Sequence, residues 1–356
     1  MRPVNARISA VEPLLTPAEL RAEVPVGDRA ARTLLRGREE VARVLDGTDD
    51  RLLVVTGPCS VHDPAAALTY AERLAGLAEE VSDTLLLVMR VYVEKPRTRL
   101  GWKGLVTDPH LDGSDDVNEG IRLSRELLAK VLDLGLPTGC EFLDPTVARY
   151  LSDVVCWGAI GARTVQSQTH RQLTSGLAMP VGMKNTTTGA VGDAIDAIVC
   201  ASHGHVFPGI DDDGLASVIQ TSGNPDCHVV LRGGAAGPNY GPLDVARALD
   251  ALGGAGLPRR LVIDASHGNS GKDHERQPVV VADVARRIAA GERGIAGLMV
   301  ESFLASGRQE LVLGSPDRLV FGQSVTDACV GWDRTTRMIA QLADAVTAGR
   351  STTVAA

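Results

Sequence analysis

Apolar positions along this chain come in short blocks separated by longer amphipathic stretches. The first block is Leu52-Leu53-Val54-Val55, inside RLLVVTG (51–57). A short apolar run without polar alternation fits a strand buried on both faces, as in a parallel sheet. The chain then turns at Gly57-Pro58 and passes Cys59, Ser60 and His62 to reach Asp63-Pro64. Asp63 suits an N-cap and Pro64 the first helical position, so PAAALTYAERLAGLAEEV is predicted to be a helix. TLLLVMRVYVE (84–94) repeats the strand signature. After a long polar, Gly-rich connection, NEGIRLSRELLAKVLDLG repeats the helical one, stopped by Gly135 and Pro137. Further strands are predicted at 137–144, 157–165, 180–185, 227–234, 260–268 and 294–302. Helical patterns lie between most of them; PVVVADVARRIAAG (278–291) begins with Pro and ends with Gly, as a crossover helix should. Eight strands alternating with helices predict an α/β fold, a (β/α)8 TIM barrel.

Two stretches do not read as barrel units. Residues 1–50 are charged and punctuated by proline, with short helical patterns in TPAELRAEV and AARTLLRGREEVARVL. In HGHVFPGIDDDGLASVIQTSGN (203–224) two β-like runs flank DDDG, a hairpin turn signal. The expected organisation is an N-terminal arm (1–50), a catalytic barrel (51–345) carrying an inserted β-hairpin (203–224), and a C-terminal tail (346–356).

Composition narrows the function. The 356 residues suffice for a large core, and 36 Lys and Arg against 44 Asp and Glu give a formal charge of −8. An acidic chain is a poor nucleic-acid binder overall, which leaves room for a local basic pocket. There is no apolar run of about 18 residues to span a membrane, and no signal-peptide pattern at the N-terminus. The six cysteines form no CxxC pair, so free thiols and a soluble cytoplasmic protein are expected.

Barrel active sites form at the C-terminal ends of the strands. There this chain places two constellations. The first is Cys59, His267, Glu301 and Asp327. Thiolate, imidazole and carboxylates together suit a divalent transition metal. Only the barrel brings these residues together; taken alone, Cys59 reads as a small buried hydrophobe. The second is cationic: Arg90, Lys95, Arg97, Arg163, Lys184 and Arg232, with Thr98 in the same EKPRT stretch and Glu141 at the end of the third strand. Any one of these cations alone reads as surface charge. Six at strand ends point to substrates with several phosphate or carboxylate groups. Ser60 and His62 lack an evident acidic partner for nucleophilic catalysis. His170 is expected to contact backbone or solvent near a helix start. GGAAGPNYG (233–241) lacks the features of a P-loop or a dinucleotide fingerprint and reads as a loop, and DDD (211–213) reads as a solvated turn.

Longer stretches carry a resemblance: GPCSVHDP, MRVYVEKPRTRLGWKGLVTDPHLDGS, WGAIGARTVQSQTHR, SGNPDCHVVLRGG, IDASHGNSGKD and VTDACVGWD. With these the chain resembles type I 3-deoxy-D-arabino-heptulosonate 7-phosphate synthases over about residues 15–345. The resemblance implies condensation of phosphoenolpyruvate with D-erythrose 4-phosphate, the first step of the shikimate pathway, with one divalent ion (Mn, Fe, Co or Zn). It implies Cys59, His267, Glu301 and Asp327 as metal ligands. Phosphoenolpyruvate would be held by Arg90, Lys95, Glu141, Arg163, Lys184, Arg232 and His267, and erythrose 4-phosphate by Arg97 and Thr98. Lys95 would shuttle a proton to the new hydroxyl. The family also implies a homodimer or homotetramer, and an aromatic amino acid effector bound between the arm and the hairpin. Gly209, where phenylalanine-sensitive members tend to have Ser, and SHGNSGKD favour tyrosine. The chain departs from the family at Thr186–Thr188, Gln166 and Arg99.

Overall fold

A computed structural model of the chain describes residues 7–354. The Leu52–Gly57 run forms β1, buried along its whole length. Asp63 caps the helix after it by accepting from the backbone N–H groups of Ala65 and Ala66 at 2.9 and 3.1 Å. The same unit recurs along the chain. Its helices are α1 (Pro17–Glu23), α2 (Asp28–Asp46), α3 (Pro64–Glu80), α4 (Val117–Asp133), α5 (Pro145–Leu151), α6 (Gln168–Thr174), α7 (Gly192–Ala201), α8 (Pro242–Gly254), α9 (Gln277–Ala289) and α10 (Trp332–Val354). Its strands after β1 are β2 (Leu85–Arg90), β3 (Thr138–Glu141), β4 (Trp157–Ile160), β5 (Val181–Lys184), β6 (Val206–Ile210), β7 (Ala216–Gln220), β8 (Cys227–Leu231), β9 (Leu261–Asp264) and β10 (Ile295–Glu301).

Eight of these strands close a parallel barrel in the order β1-β2-β3-β4-β5-β8-β9-β10, and β10 returns to β1. The (β/α)8 expectation therefore holds. Alternate strand residues fill the barrel: Leu53 and Val55, Leu86 and Val88, Trp157 and Ala159, with Val230, Val262 and Met299. Val41, Val44 and Leu45 of α2 join this cluster, so the N-terminal segment packs into the barrel core. The outward-facing residues form the larger core beneath the helices.

The strands are shorter than the apolar runs that announce them. β2 pairs with β3 only at Met89 and Arg90. The chain then leaves the ladder and buries Tyr92 and Glu94 at the barrel mouth. The hairpin appears as β6 paired antiparallel with β7. Its DDDG tip is not merely a solvated turn: Asp212 pairs with Arg21 of α1 at 2.8 Å and Arg149 of α5 at 3.2 Å. Residues 346–354, expected in a tail, continue α10, whose buried face is formed by Met338, Ile339, Leu342, Ala345 and Val346. Residues 355–356 and the first six of the arm lie outside the described residues. No helix among those described is long and apolar enough to cross a membrane.

Candidate active site

At the barrel mouth β1 delivers Cys59. The approach is tight: a Cβ on Gly57 would lie 2.5 Å from the Arg90 carbonyl oxygen, so only glycine fits. Cys59 is fully buried. One ligand atom from each of Cys59, Glu301 and Asp327 lies within 4.8 Å of the others. Donors about 2.0–2.3 Å from one ion have this separation. His267 stands beside them, with Nε2 3.8 Å from Glu301 Oε1. Its backbone has φ +53°, a strained conformation for a non-glycine residue. Its Nδ1 is held by Asp264 at 2.8 Å and the Ser266 hydroxyl at 2.7 Å. That leaves Nε2 to face the cluster, the usual arrangement behind a ligating imidazole.

The donor set fits a divalent transition ion in chemistry and in spacing. Lys95 already brings a positive charge to it: Nζ is 2.8 Å from Cys59 Sγ and 2.9 Å from Asp327 Oδ2. Burial, with Glu301 beside it, pushes the Cys59 thiol up to about 11 despite Lys95. A bound cation would favour the thiolate instead. Asp327 is driven the other way: its burial is outweighed by the Lys95 ammonium, which holds the carboxyl well below the usual range.

A cavity of about 370 Å³ opens beside this cluster. It is lined by Cys59, Arg90, Lys95, Arg97, Thr98, Glu141, Arg163, Lys184, Arg232, His267 and Asp327. Glu301 lines a small adjoining recess with His267 and Asp327. Both constellations read from the sequence thus meet at one mouth. Arg90 is held by the Pro58 and Cys59 carbonyls and by Glu301 at 2.9 Å. Its guanidinium lies 3.7 Å from the centroid of the Tyr92 ring. Lys184 pairs with Glu141 at 2.8 Å. Arg163 donates to the Thr98 hydroxyl at 2.8 Å, so the two expected substrate subsites touch.

Four groups at this mouth carried no site role in the sequence reading. Tyr92, Glu94 and Lys272 line the cavity, and Asp264 orients His267. Glu94, raised by burial to about 8, still accepts from the backbone N–H groups of Leu143 and Asp144 at 3.2 Å each. Asp264 alone had a local signal, a carboxylate three residues before a histidine in IDASHG.

The weaker candidates fall outside the chemistry. Ser60 bonds Thr326 at 2.7 Å, and His62 packs edge-on against Phe303. His170 bonds the Leu143 carbonyl at 2.7 Å and the Ser167 hydroxyl at 2.9 Å. The departures are accommodated locally. Thr186 and Thr188 bond each other at 2.8 Å, Gln166 donates to Asp193 at 3.0 Å, and Arg99 joins the cavity wall.

A second cavity, of about 590 Å³, lies between α5, α6 and the hairpin, and among the described residues none of the N-terminal arm, expected to share the effector site with the hairpin, lines it. Arg149, Ser175, Phe207, Gly209, Ile219 and Thr221 are among its lining residues.

Comparison with known proteins gives these cavities a context. A family model described as the DAHP synthetase I family matches residues 23–340. The Phe-sensitive phospho-2-dehydro-3-deoxyheptonate aldolase of Escherichia coli is 50% identical over 346 residues, covering 97% of this chain and 98% of that protein. The Tyr-sensitive one of the same organism is 48% identical, covering 95% and 94%. A phospho-2-dehydro-3-deoxyheptonate aldolase of Corynebacterium glutamicum is 49% identical, covering 96% and 94%. The structure of a phospho-2-dehydro-3-deoxyheptonate aldolase from Francisella tularensis superposes with a TM-score of 0.94 at 42% identity, covering 96% of this chain and 99% of that one.

Proposed function

Since the chain belongs to the DAHP synthetase I family, we propose that its barrel mouth condenses phosphoenolpyruvate with D-erythrose 4-phosphate, releasing phosphate, and that the reaction depends on a divalent metal. One observation carries this reading: a cavity walled by Arg90, Lys95, Arg97, Arg163, Lys184 and Arg232 abuts a Cys59–Glu301–Asp327 donor set. The cations suit the phosphate and carboxylate of an enol phosphate and the phosphate of an aldose. In this reading Arg163, Lys184 and Arg232 would hold the first, and Arg97 and Thr98 the second.

Cys59, His267, Glu301 and Asp327 would hold a divalent ion, which would supply Lewis acidity toward the aldehyde oxygen. The surrounding residues do the rest. They fix C3 of phosphoenolpyruvate against the aldehyde carbon, so that the new carbon–carbon bond forms from an aligned pair. Water adds at C2 as positive charge develops there. One proton of that water is lost as the hemiketal forms and replaces the proton Lys95 gives up; the C2–O bond to phosphate then breaks, and the remaining hydroxyl proton leaves with the phosphate to give the ketone. Arg90, Arg163, Lys184 and Arg232 stabilise the negative charge carried by the phosphate and carboxylate. Lys95 delivers the proton that turns the aldehyde oxygen into a hydroxyl. Phosphoenolpyruvate absorbance should fall when erythrose 4-phosphate is added. EDTA should stop this, and a divalent metal should restore it. Equal turnover in EDTA would refute the metal, and no consumption with metal present would refute the reaction.

The second cavity is proposed to take an aromatic amino acid, tyrosine in preference to phenylalanine. Phe207 and Ile219 offer an apolar bed. Arg149 Nε is buried with no partner among the described residues, and suits an amino acid's carboxylate. The Ser175 and Thr221 hydroxyls, 2.7 Å apart, offer partners for a phenol. A side chain on Gly209 would meet Ile219 Cγ1 at 2.8 Å, so Ile219 sets the depth on that side. Self-association into a dimer or tetramer is proposed as well; the exposed Val206 and Val218 of the hairpin support it.

A further inference from the structure

Beyond the last paired residues of a barrel, backbone groups lose their ladder partners and strands splay. On one side of this mouth the splaying is restrained by side-chain amides. The β5–β8 ladder ends at Lys184 and Val230, and Asn185 extends it. Its backbone N–H donates to the Val230 carbonyl at 3.1 Å. Its side-chain Oδ1 accepts from the Arg232 N–H at 2.8 Å, and Nδ2 donates to the Gly233 carbonyl at 2.9 Å. The carboxamide thus behaves as one more peptide unit of the sheet.

The β8–β9 ladder ends at Leu231 and Ile263, and Asn269 extends that one. Its Nδ2 donates to the carbonyls of Leu231 at 3.0 Å and Asp264 at 2.8 Å. Asn239 joins the two. Its Nδ2 donates to Asn185 Oδ1 at 3.1 Å, its Oδ1 accepts from the Gly233 N–H at 2.7 Å, and its backbone N–H donates to Asn269 Oδ1 at 2.8 Å. Asn185 and Asn269 are buried while Asn239 is half-exposed. The backbones behind this network are in near contact: a Cβ on Gly233 would lie 2.4 Å from the Gly268 carbonyl carbon.

Each of these amides sits beside a functional group. Asn185 follows Lys184, holds the N–H of Arg232, and connects through Asn239 to Asn269, which closes the turn carrying His267. A buried network with its donors and acceptors satisfied is rigid, and its members act together. Asn239 comes from GGAAGPNYG, a stretch without evident function in the sequence.

We infer that Asn185, Asn239 and Asn269 form a collar of side-chain amides that fixes the spacing of Lys184, Arg232 and His267, and so sets affinity for the anionic enol phosphate. They are positioning residues and touch no reacting atom. The inference rests on the reading that phosphoenolpyruvate lies against Lys184 and Arg232. Arg97 and Thr98 stand on the loop after β2, outside the collar, so binding of the second substrate should sense it much less than binding of the first.

The test is Asn239→Ala in the full chain with metal bound, chosen because Asn239 is the half-exposed member. The KM for phosphoenolpyruvate should rise by about tenfold, with kcat and the KM for erythrose 4-phosphate within about twofold of the unaltered chain. Asn239→Asp keeps the acceptor for Gly233 and loses the donation to Asn185. It should raise the same KM, and it replaces the alanine variant if that one does not fold. A merely structural role would lower the melting temperature and the active fraction while leaving KM unchanged. Unchanged KM for phosphoenolpyruvate, or an equal rise for both substrates, overturns the inference while the reaction stands. Failure of the unaltered chain to consume phosphoenolpyruvate overturns both.

Discussion

Cys59 shows how much a residue's meaning depends on its neighbours. In GPCSVHDP it is one buried thiol among six, and burial alone would keep it protonated. With Glu301 and Asp327 within ligand distance and His267 alongside, a bound cation can reverse that preference. Cys59→Ser should therefore retain the circular-dichroism spectrum of the unaltered chain and lose metal affinity by at least roughly tenfold. Metal content by atomic absorption after dialysis checks this, and full metal content with full turnover would exclude Cys59 as a ligand. Lys95 makes the complementary case. Its ammonium is buried, yet the Cys59 sulfur with the Asp327 and Glu301 carboxylates around it outweighs burial and raises it above the ordinary lysine range. Lys95→Met keeps the length of the stem and removes the proton. Turnover should fall by roughly 10²- to 10⁴-fold if Lys95 is the general acid. A single-turnover assay separates that loss from weaker binding, and near-normal rates would remove Lys95 from the proton path.

At the scale of elements, the strands were legible because parallel barrel strands are buried on both faces and read as unbroken apolar runs. Their C-terminal ends were not legible, because pairing stops where the chain turns to present side chains to the mouth. This is why the run 84–94 yields a strand of six residues, and why Tyr92 and Glu94 look in the sequence like strand rather than site. Asp264 escaped for a related reason, since a carboxylate closing an apolar strand looks like its polar boundary. His228 of β8 is another polar group hidden in an apolar run. It is buried in the barrel, where Trp157 Nε1 donates to its Nε2 at 3.2 Å. Burial depresses it from 6.5 to about 4. The unfolded chain thus binds a proton between pH 6.5 and 4 that the fold refuses. Stability is full above the upper value and is lost as pH falls toward the lower one, by roughly 3 kcal/mol. His228→Gln can still accept from Trp157 and cannot titrate. Urea unfolding at pH 7 and pH 4 should show a smaller acid loss in this variant. Equal losses in both proteins would place the acid sensitivity elsewhere.

At the scale of the whole molecule, the two cavities share a wall. Leu143 lines the barrel mouth, while Pro145 and Thr146, two residues on at the start of α5, line the cavity under the hairpin. Glu94 grips this loop from the mouth side through the N–H groups of Leu143 and Asp144, and His170 of α6 holds its Leu143 carbonyl. A ligand that shifted the start of α5 would pull on a segment held beside the barrel mouth, and in the proposed reading an effector would act on the substrates this way without touching them. The effector's identity rests on finer chemistry. Arg149 faces the hairpin tip through Asp212 and its Nε has no partner among the described residues, and in the proposed reading it would take the carboxylate while the Ser175–Thr221 hydroxyl pair would meet a phenol. Tyrosine should then inhibit at lower concentration than phenylalanine, and the difference should narrow in Ser175→Ala, which removes one of the hydroxyls. Arg149→Met should weaken inhibition by either amino acid by about tenfold, the value of one charge-assisted contact. It should leave the KM values for both substrates unchanged, because Arg149 lies outside the barrel mouth. Steady-state inhibition curves for the three proteins decide the matter. Stronger inhibition by phenylalanine would reverse the preference, and full inhibition of Arg149→Met would move the effector out of this cavity.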